Sequence, residues 1–164
     1  SPYSSDISAV PFADVAITFA DAAFEAAVRD ETSKPSGTIM WSDVFDITQI
    51  VSAGAGVANL DGLENCVSLR DLRLDGNSIT DLSPLADLTE LRLVFLTGND
   101  INDISSLSGL NNLEYLTLGG NNIANIAALG GLTNLRYLNL YHNEISDFSP
   151  IASLTHLDFL DLHN

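Results

Sequence analysis

Apolar residues recur along this chain with a period of 22 residues. In each complete unit they return at positions 1, 4, 6, 11, 14, 17 and 20, and an asparagine returns at position 9. A fixed period of this length predicts a stack of similar structural units, none of which can bury its apolar face alone. The units begin at Leu69, Leu91, Leu113 and Leu135, and a partial unit runs over 157–164.

The first six positions of a unit read LxxLxL, which predicts a short strand with one buried face. Parallel stacking of these strands would place them about 4.8 Å apart. The asparagines follow the strands, where their amides can pair with backbone groups that a buried bend leaves free. They are Asn77, Asn99, Asn121 and Asn143.

Position 13 of the units carries a second polar column, which is expected to cap short helical turns on the outer side of the stack. A calcium ladder is the alternative for this column, but the dense spacing of known calcium loops is absent. The column consists of Asn59, Asp81, Asp103, Asn125 and Asp147.

Composition divides the chain into three parts. Residues 1–13 have no usable period and are expected to form an extended lead-in. Residues 14–46 predict a small helical cap, with Asp21 as the N-cap of its helix and Ser42 capping a short turn. Residues 47–164 form the repeats, of which 47–68 is a degenerate first unit.

These units resemble the 22-residue leucine-rich repeats of the internalin family, with the pattern LxxLxLxxNxIxDIxxLxxLxx. The resemblance covers about residues 47–164, and the preceding FADAAFEAAVRD segment is similar to the helical caps of such proteins. It implies an α/β solenoid with a curved parallel sheet on the concave side and 3₁₀ turns on the convex side. It also implies binding of a protein partner through the concave face, in an extracellular or cell-surface bacterial protein.

Charge and composition exclude several partners. The net charge is −16, from 22 acidic and 6 basic residues, so nucleic acid and anionic membranes should repel the chain. No apolar run is long enough to span a bilayer, so membrane insertion is not expected. The only cysteine, Cys66, falls at an apolar position and is expected to be a buried thiol.

The two ends of the chain suggest part of a longer protein. It begins without Met, as a trimmed product would, and the last unit stops after eight residues. Leu160 and Leu162 would then face an uncapped end, which would permit self-association.

On the concave face, positions 3, 5 and 7 of each unit should point to solvent. We expect the apolar anchors to be aromatic, since aromatic side chains with arginine are typical of binding hot spots. The alternative is that these rings only cover their own sheet. The candidate binding residues are Arg73, Leu93, Phe95, Tyr115, Tyr137, Asn139, Tyr141, Phe159 and Asp161.

No catalytic, cofactor or metal motif is evident. Gly119 and Gly120 are expected to serve tight turns rather than a phosphate cradle. The sequence therefore favours a non-catalytic recognition module that binds a protein, with a glycan as the less favoured ligand. Two alternatives stay open: a structural spacer in a large adhesin, and an intracellular regulatory scaffold similar to the repeat subunits of protein phosphatases.

Overall fold

The computed structural model describes residues 14–163, so the lead-in expected for residues 1–13 lies outside the described part. Six short strands form one parallel sheet in chain order, each paired with the strand of the next unit. The predicted α/β solenoid is confirmed. Its strands are β3 (Gln49–Val51), β4 (Asp71–Arg73), β5 (Leu93–Phe95), β6 (Tyr115–Thr117), β7 (Tyr137–Asn139) and β8 (Phe159–Asp161).

The outer, convex side consists of short 3₁₀ turns, one for each unit. They span Leu63–Asn65, Ser83–Leu85, Ser105–Gly109, Ala127–Gly131 and Ser149–Ser153.

The apolar column at the centre of the strands forms the inner layer of the core. Leu72, Val94, Leu116 and Leu138 are fully buried, each in register with the next. Since side chains alternate across a strand, the residues on either side of this column must point to the concave surface.

The asparagine column ties each unit to the one before it. Asn121 Oδ1 accepts the backbone N–H of Ile101 at 3.0 Å, and its Nδ2 donates to the carbonyls of Leu96 and Leu118 at 3.0 and 2.9 Å. Asn77, Asn99 and Asn143 repeat this arrangement, and all four are buried. The structural role predicted for these amides is confirmed.

Four of the five position-13 residues act as predicted. The Oδ1 of Asp81 accepts the backbone N–H of Ser83, at the start of the 3₁₀ turn, at 2.8 Å. Asp103, Asn125 and Asp147 accept the equivalent N–H groups of their own turns at 2.8 to 2.9 Å. These hydrogen bonds lower the pKa of Asp103 and of Asp147, in both cases chiefly through the backbone N–H.

The N-terminal end of the sheet is covered by a helix, α1 (Ala22–Thr32), a short helix, α2 (Trp41–Val44), and a two-stranded antiparallel ribbon, β1 (Ala16–Ile17) with β2 (Ile39–Met40). The buried face of α1 carries Phe24, Ala27 and Val28.

Asp21 caps α1 as predicted, since its Oδ1 accepts the N–H groups of Ala23 and Phe24. Its Oδ2 accepts those of Ala58 and Asn59, which joins the helix to the first repeat. Partial burial raises the pKa of Asp21, but these four hydrogen bonds outweigh it and the net shift is downward.

The capping role predicted for Ser42 is wrong. Ser42 lies inside α2, which begins at Trp41, and its hydroxyl donates to Asp14 Oδ2 at 2.6 Å. The acceptor at the start of α2 is Asp43, whose Oδ2 takes the N–H of Met40 at 2.7 Å. A carboxylate is a stronger hydrogen-bond acceptor than a serine hydroxyl, so Asp43 binds the Met40 N–H. The Ser42 hydroxyl is instead bonded to Asp14.

The C-terminal end of the stack stays open within the described residues. Leu160 of β8 is 43 % exposed, whereas Leu138, one unit earlier in the same column, is 0 % exposed. Phe148 is likewise 37 % exposed, against 1 % for Ile126 one unit earlier. A further layer of apolar side chains would be needed to cover this end.

Replacing Asn121 by alanine should lower the free energy of unfolding by about 1–3 kcal/mol, because the buried N–H of Ile101 loses its acceptor. The carbonyls of Leu96 and Leu118 lose one donor each and keep Asn99 and Asn143. Urea denaturation followed by circular dichroism measures this. Asn122→Ala is the matched control, since that neighbouring side chain is exposed, and it should cost less than about 0.5 kcal/mol. Equal losses in the two variants would contradict the role given to Asn121.

Candidate functional site

Three columns of side chains cross the concave face of the sheet at positions 3, 5 and 7 of the units. Position 3 carries Asp71, Leu93, Tyr115, Tyr137 and Phe159, and position 5 carries Arg73, Phe95, Thr117, Asn139 and Asp161, each in register with its neighbours. Position 7, just beyond the strands, carries Asp75, Thr97, Gly119, Tyr141 and His163. The backbone hydrogen bonds of the sheet fix the spacing of all three columns.

An aromatic ladder, defined as Tyr115, Tyr137 and Phe159, occupies the C-terminal half of the position-3 column. The rings of Tyr115 and Tyr137 are 5.8 Å apart with an interplanar angle of 18°. Those of Tyr137 and Phe159 are 4.3 Å apart at 7°. Tyr137 is therefore sandwiched, while the outer rings of the ladder stay 39 % and 42 % exposed.

At the other end of the face, Arg73 lies over Phe95, with its guanidinium carbon 4.9 Å from the ring centroid. The same guanidinium donates two hydrogen bonds of 2.9 Å to the carboxylate of Asp71. Hydrogen bonding to Asp71 raises the pKa of Arg73 above its already high value, so this group is always charged. Leu93, half-buried, continues the position-3 column from Asp71 to the ladder.

The centre of the face is small and polar. Thr117 is 8 % exposed, and its hydroxyl lies 3.0 Å from that of Thr97. Asn139 is half-buried and its Oδ1 accepts the backbone N–H of Tyr141 at 3.1 Å. Thr117 is thus buried although its column faces the concave side, which alternation alone does not predict.

Tyr141 leans over Gly119 of the preceding unit. A Cβ built on Gly119 would collide with Cδ1 and Cε1 of the Tyr141 ring and would lie 2.9 Å from its Cζ. Three consecutive ring atoms can be this close to one point only if it lies over the ring face. Gly119 therefore leaves room for one face of the Tyr141 ring, and we call it the seat of Tyr141. Of the glycine pair expected to serve a tight turn, Gly120 adopts the positive φ of that turn.

The turn that follows each strand uses the next residue instead. Gly76, Gly98 and Gly120 adopt positive φ angles of 63° to 68°, and His142 adopts 47° at the equivalent position of its unit. This left-handed conformation favours glycine, so His142 carries a strain that its neighbours avoid. Its ring packs edge-on against Tyr141, with centroids 5.3 Å apart.

Asp161 ends the position-5 column beside these residues. It accepts hydrogen bonds from the ring Nδ1 and the backbone N–H of His163 at 2.6 and 3.1 Å. The bond from the His163 ring is the largest cause of a lowered pKa at Asp161, which is consequently ionised at neutral pH.

The nine predicted site residues therefore fall into three groups. The three ladder residues stack on one another. Arg73 lies over Phe95 on the strands where Leu93 also lies. Asn139, Tyr141 and Asp161 lie toward the edge where the strands end.

The place of Gly119 under the Tyr141 ring was not predicted. The available sequence indication was a residue without a side chain one unit before a tyrosine in the same column.

A shallow cleft of about 350 Å³ lies along the opposite edge of the sheet, where the strands begin. Asn112 and Asn134 in its wall donate to carbonyls of the preceding unit at 2.9 and 2.7 Å, and His156 Nδ1 lies 3.0 Å from the Thr133 carbonyl. Like the position-9 asparagines, these polar side chains therefore connect each unit to the one before it.

Burial, with Glu64 adding to it, raises the pKa of Cys66 to about 12, so this fully buried thiol stays protonated, as the sequence predicts. Residues 14–163 contain no group of three His, Cys, Asp or Glu side chains placed to hold a metal ion.

Two leucine-rich repeat profiles match the chain, at residues 67–123 and 133–164. Among solved structures, an internalin C2 from Listeria monocytogenes has 31 % sequence identity and a TM-score of 0.69, covering 94 % of this chain and 80 % of that one. The chain belongs to the internalin-type leucine-rich repeat proteins.

A second Listeria monocytogenes internalin (inlF) has a TM-score of 0.86 and 35 % identity over 93 % of this chain. This repeat protein spans only 46 % of the length of that internalin. The leucine-rich repeat ectodomain of the plant receptor kinase GASSHO1/SCHENGEN3 from Arabidopsis thaliana is 25 % identical over 71 % of this chain and 15 % of that one, with a TM-score of 0.60. No curated protein sequence matches significantly.

None of the helices in residues 14–163 has the length and apolar character needed to cross a bilayer.

Replacing Gly119 by alanine should displace the Tyr141 ring without unfolding this internalin-type protein, because the colliding atoms belong to a half-buried side chain and not to the backbone. We expect a loss below about 1 kcal/mol and altered Tyr141 ring signals in NMR spectra. In a Tyr141→Ala background the same change should cost nothing, which a double-mutant cycle measures.

Gly131→Ala is the control for this cycle, since nothing lies within 4 Å of the Cβ position at Gly131. It should leave the Tyr141 signals unchanged. A cost of Gly119→Ala that is the same with and without the Tyr141 ring would contradict the seat.

Proposed function

We propose that this chain is the recognition module of an exported or cell-surface bacterial protein, and that it binds a protein partner through the concave face without catalysing a reaction. The observation that carries the proposal is the aromatic ladder. Its outer rings are large, apolar and exposed, and they stand on a sheet whose register is fixed by backbone hydrogen bonds.

A rigid aromatic platform lowers the entropy cost of binding, because the backbone and the stacked rings are ordered before the partner arrives. Tyrosine adds a hydroxyl to its apolar ring, so one side chain offers both packing area and a hydrogen bond. These properties are typical of hot-spot residues in protein interfaces.

The stacking also favours a protein over a glycan. A sugar ring packs against the face of an aromatic ring, and both faces of Tyr137 are covered by its neighbours. The central ring therefore presents its edge and its hydroxyl, which suit apolar and polar side chains of a protein. A glycan that avoids ring faces is the remaining alternative.

Related structures support the same reading. The similar plant receptor ectodomain was solved in complex with CASPARIAN STRIP INTEGRITY FACTOR 2. Membership of the internalin family favours a bacterial surface or secreted location and a role in adhesion. Division into a cap at 14–46 and repeats at 47–164 belongs to this proposal, as does self-association through the open end at Leu160.

A structural spacer is the competing function, and one observation favours it. The ladder rings cover one another, so their presence is also explained by protection of the sheet. The intracellular scaffold is the third possibility, and no contact in the structure favours it.

A triple variant in which Tyr115, Tyr137 and Phe159 are replaced by alanine should lose a protein that the parent captures from the surroundings of its source organism. Loss of the central anchors should weaken binding by about 2 kcal/mol or more, which calorimetry with the captured protein measures.

The control replaces Val15, Val67 and Phe148 by alanine, because these exposed apolar residues lie off the concave face. The control should bind like the parent. Equal binding by the ladder variant and the parent would exclude the ladder as the site and favour the spacer.

A further inference from the structure

Every basic side chain of this protein already has an acidic partner. The six Lys and Arg residues each have a nitrogen within 3.9 Å of a carboxylate oxygen, whereas the chain carries 22 acids. The pairs are Arg29–Glu25, Lys34–Asp43, Arg70–Glu90, Arg73–Asp71, Arg92–Glu114 and Arg136–Asp158.

This distribution decides the sign of the charge that a partner should carry. An acidic group would have to displace one of these internal pairs before it found a cation. A basic group meets an excess of carboxylates, and the net charge of −16 attracts it from a distance. The partner is therefore expected to be basic where it touches the concave face.

The edge where the strands end offers a defined place for such a group. One face of Tyr141 lies over Gly119 and the His142 ring packs at 76° to it, and the half-buried ring keeps part of its surface exposed. Asp161 is in register with Asn139, whose side chain accepts the Tyr141 backbone N–H. An aromatic side chain and an ionised carboxylate thus lie in neighbouring units.

The same sheet contains an occupied arrangement of this kind. At its other end, the Arg73 guanidinium lies over the Phe95 ring at 4.9 Å and is held by Asp71 through two hydrogen bonds. A ring and a carboxylate on these strands therefore accommodate a guanidinium. Within residues 14–163, no Lys or Arg pairs with Asp161, which accepts its hydrogen bonds from the exposed His163.

Tyr141 and His142 both differ from the residues at the equivalent positions of the preceding units. At position 7, where this unit has Tyr141, the two units that begin at Leu69 and Leu91 carry Asp75 and Thr97, and the preceding unit has Gly119. The next residue is His142, which takes a left-handed conformation that glycine occupies in the preceding units. Strain of this kind persists where other contacts enforce it and is common at binding sites.

We propose that Tyr141 and Asp161 form a subsite for an arginine or lysine side chain of the protein partner. The cation packs on the exposed part of the Tyr141 ring and donates charge-assisted hydrogen bonds to Asp161, replacing those from His163. The aromatic ladder contacts apolar residues next to this basic side chain. The inference rests on the proposed function and adds the chemistry of the partner.

A random-peptide phage library selected on the immobilised protein tests this subsite. The enriched peptides should carry arginine or lysine beside an apolar or aromatic residue. One enriched peptide is then measured against Tyr141→Ala and Asp161→Asn, each of which should bind it about tenfold more weakly. Tyr141→Phe keeps the ring and should bind like the parent.

Asp87→Asn controls for the loss of one negative charge, since Asp87 is exposed on the convex side. It should change the affinity by less than about twofold. Enriched peptides without basic residues would overturn the subsite, as would equal binding by the parent, Tyr141→Ala and Asp161→Asn.

Failure of the subsite is distinguishable from failure of the proposed function. If only the ladder variant loses the peptide, the subsite is wrong and the concave face still binds. If no concave variant loses it, both proposals fail.

Discussion

The buried asparagine at position 9 is the interaction on which the rest of this structure depends. Each amide oxygen accepts a backbone N–H of the preceding unit. Each amide nitrogen donates to one carbonyl of the preceding unit and to one of its own unit. A buried bend without such a partner would leave polar groups unpaired in an apolar core, at a cost of about 1–3 kcal/mol for each group. Because one asparagine occurs every 22 residues, each strand ends level with the strand before it, and this fixes the register of the sheet.

That register turns small sequence changes into surface features. Side chains 22 residues apart always become neighbours, so three aromatic residues at position 3 stack into a ladder, and a glycine before a tyrosine at position 7 becomes a seat. The core positions are nearly identical between units, whereas the concave positions differ from unit to unit. The fold thus provides a constant frame, and its chemistry lies in the residues that break the repeat.

Periodicity was sufficient to predict the strands, the outer turns, the asparagine ladder and the N-cap at Asp21, because each depends on residue type at a fixed spacing. The prediction from periodicity failed where a side chain could form a hydrogen bond with more than one partner. Ser42 binds Asp14, which is distant in sequence, and leaves the capping position to Asp43. The burial of Thr117 and the seat at Gly119 both depend on the direction of a side chain one unit away, which spacing does not specify.

The concave aromatic face is the surface proposed to contact the partner. A titration of isotope-labelled protein with the captured partner, followed in NMR spectra, tests this contact directly. We expect shifts concentrated in the ring signals of Tyr115, Tyr137, Tyr141 and Phe159, with the convex turns such as Ser105–Gly109 unchanged. Shifts confined to the convex turns or to the open end near Leu160 would contradict it.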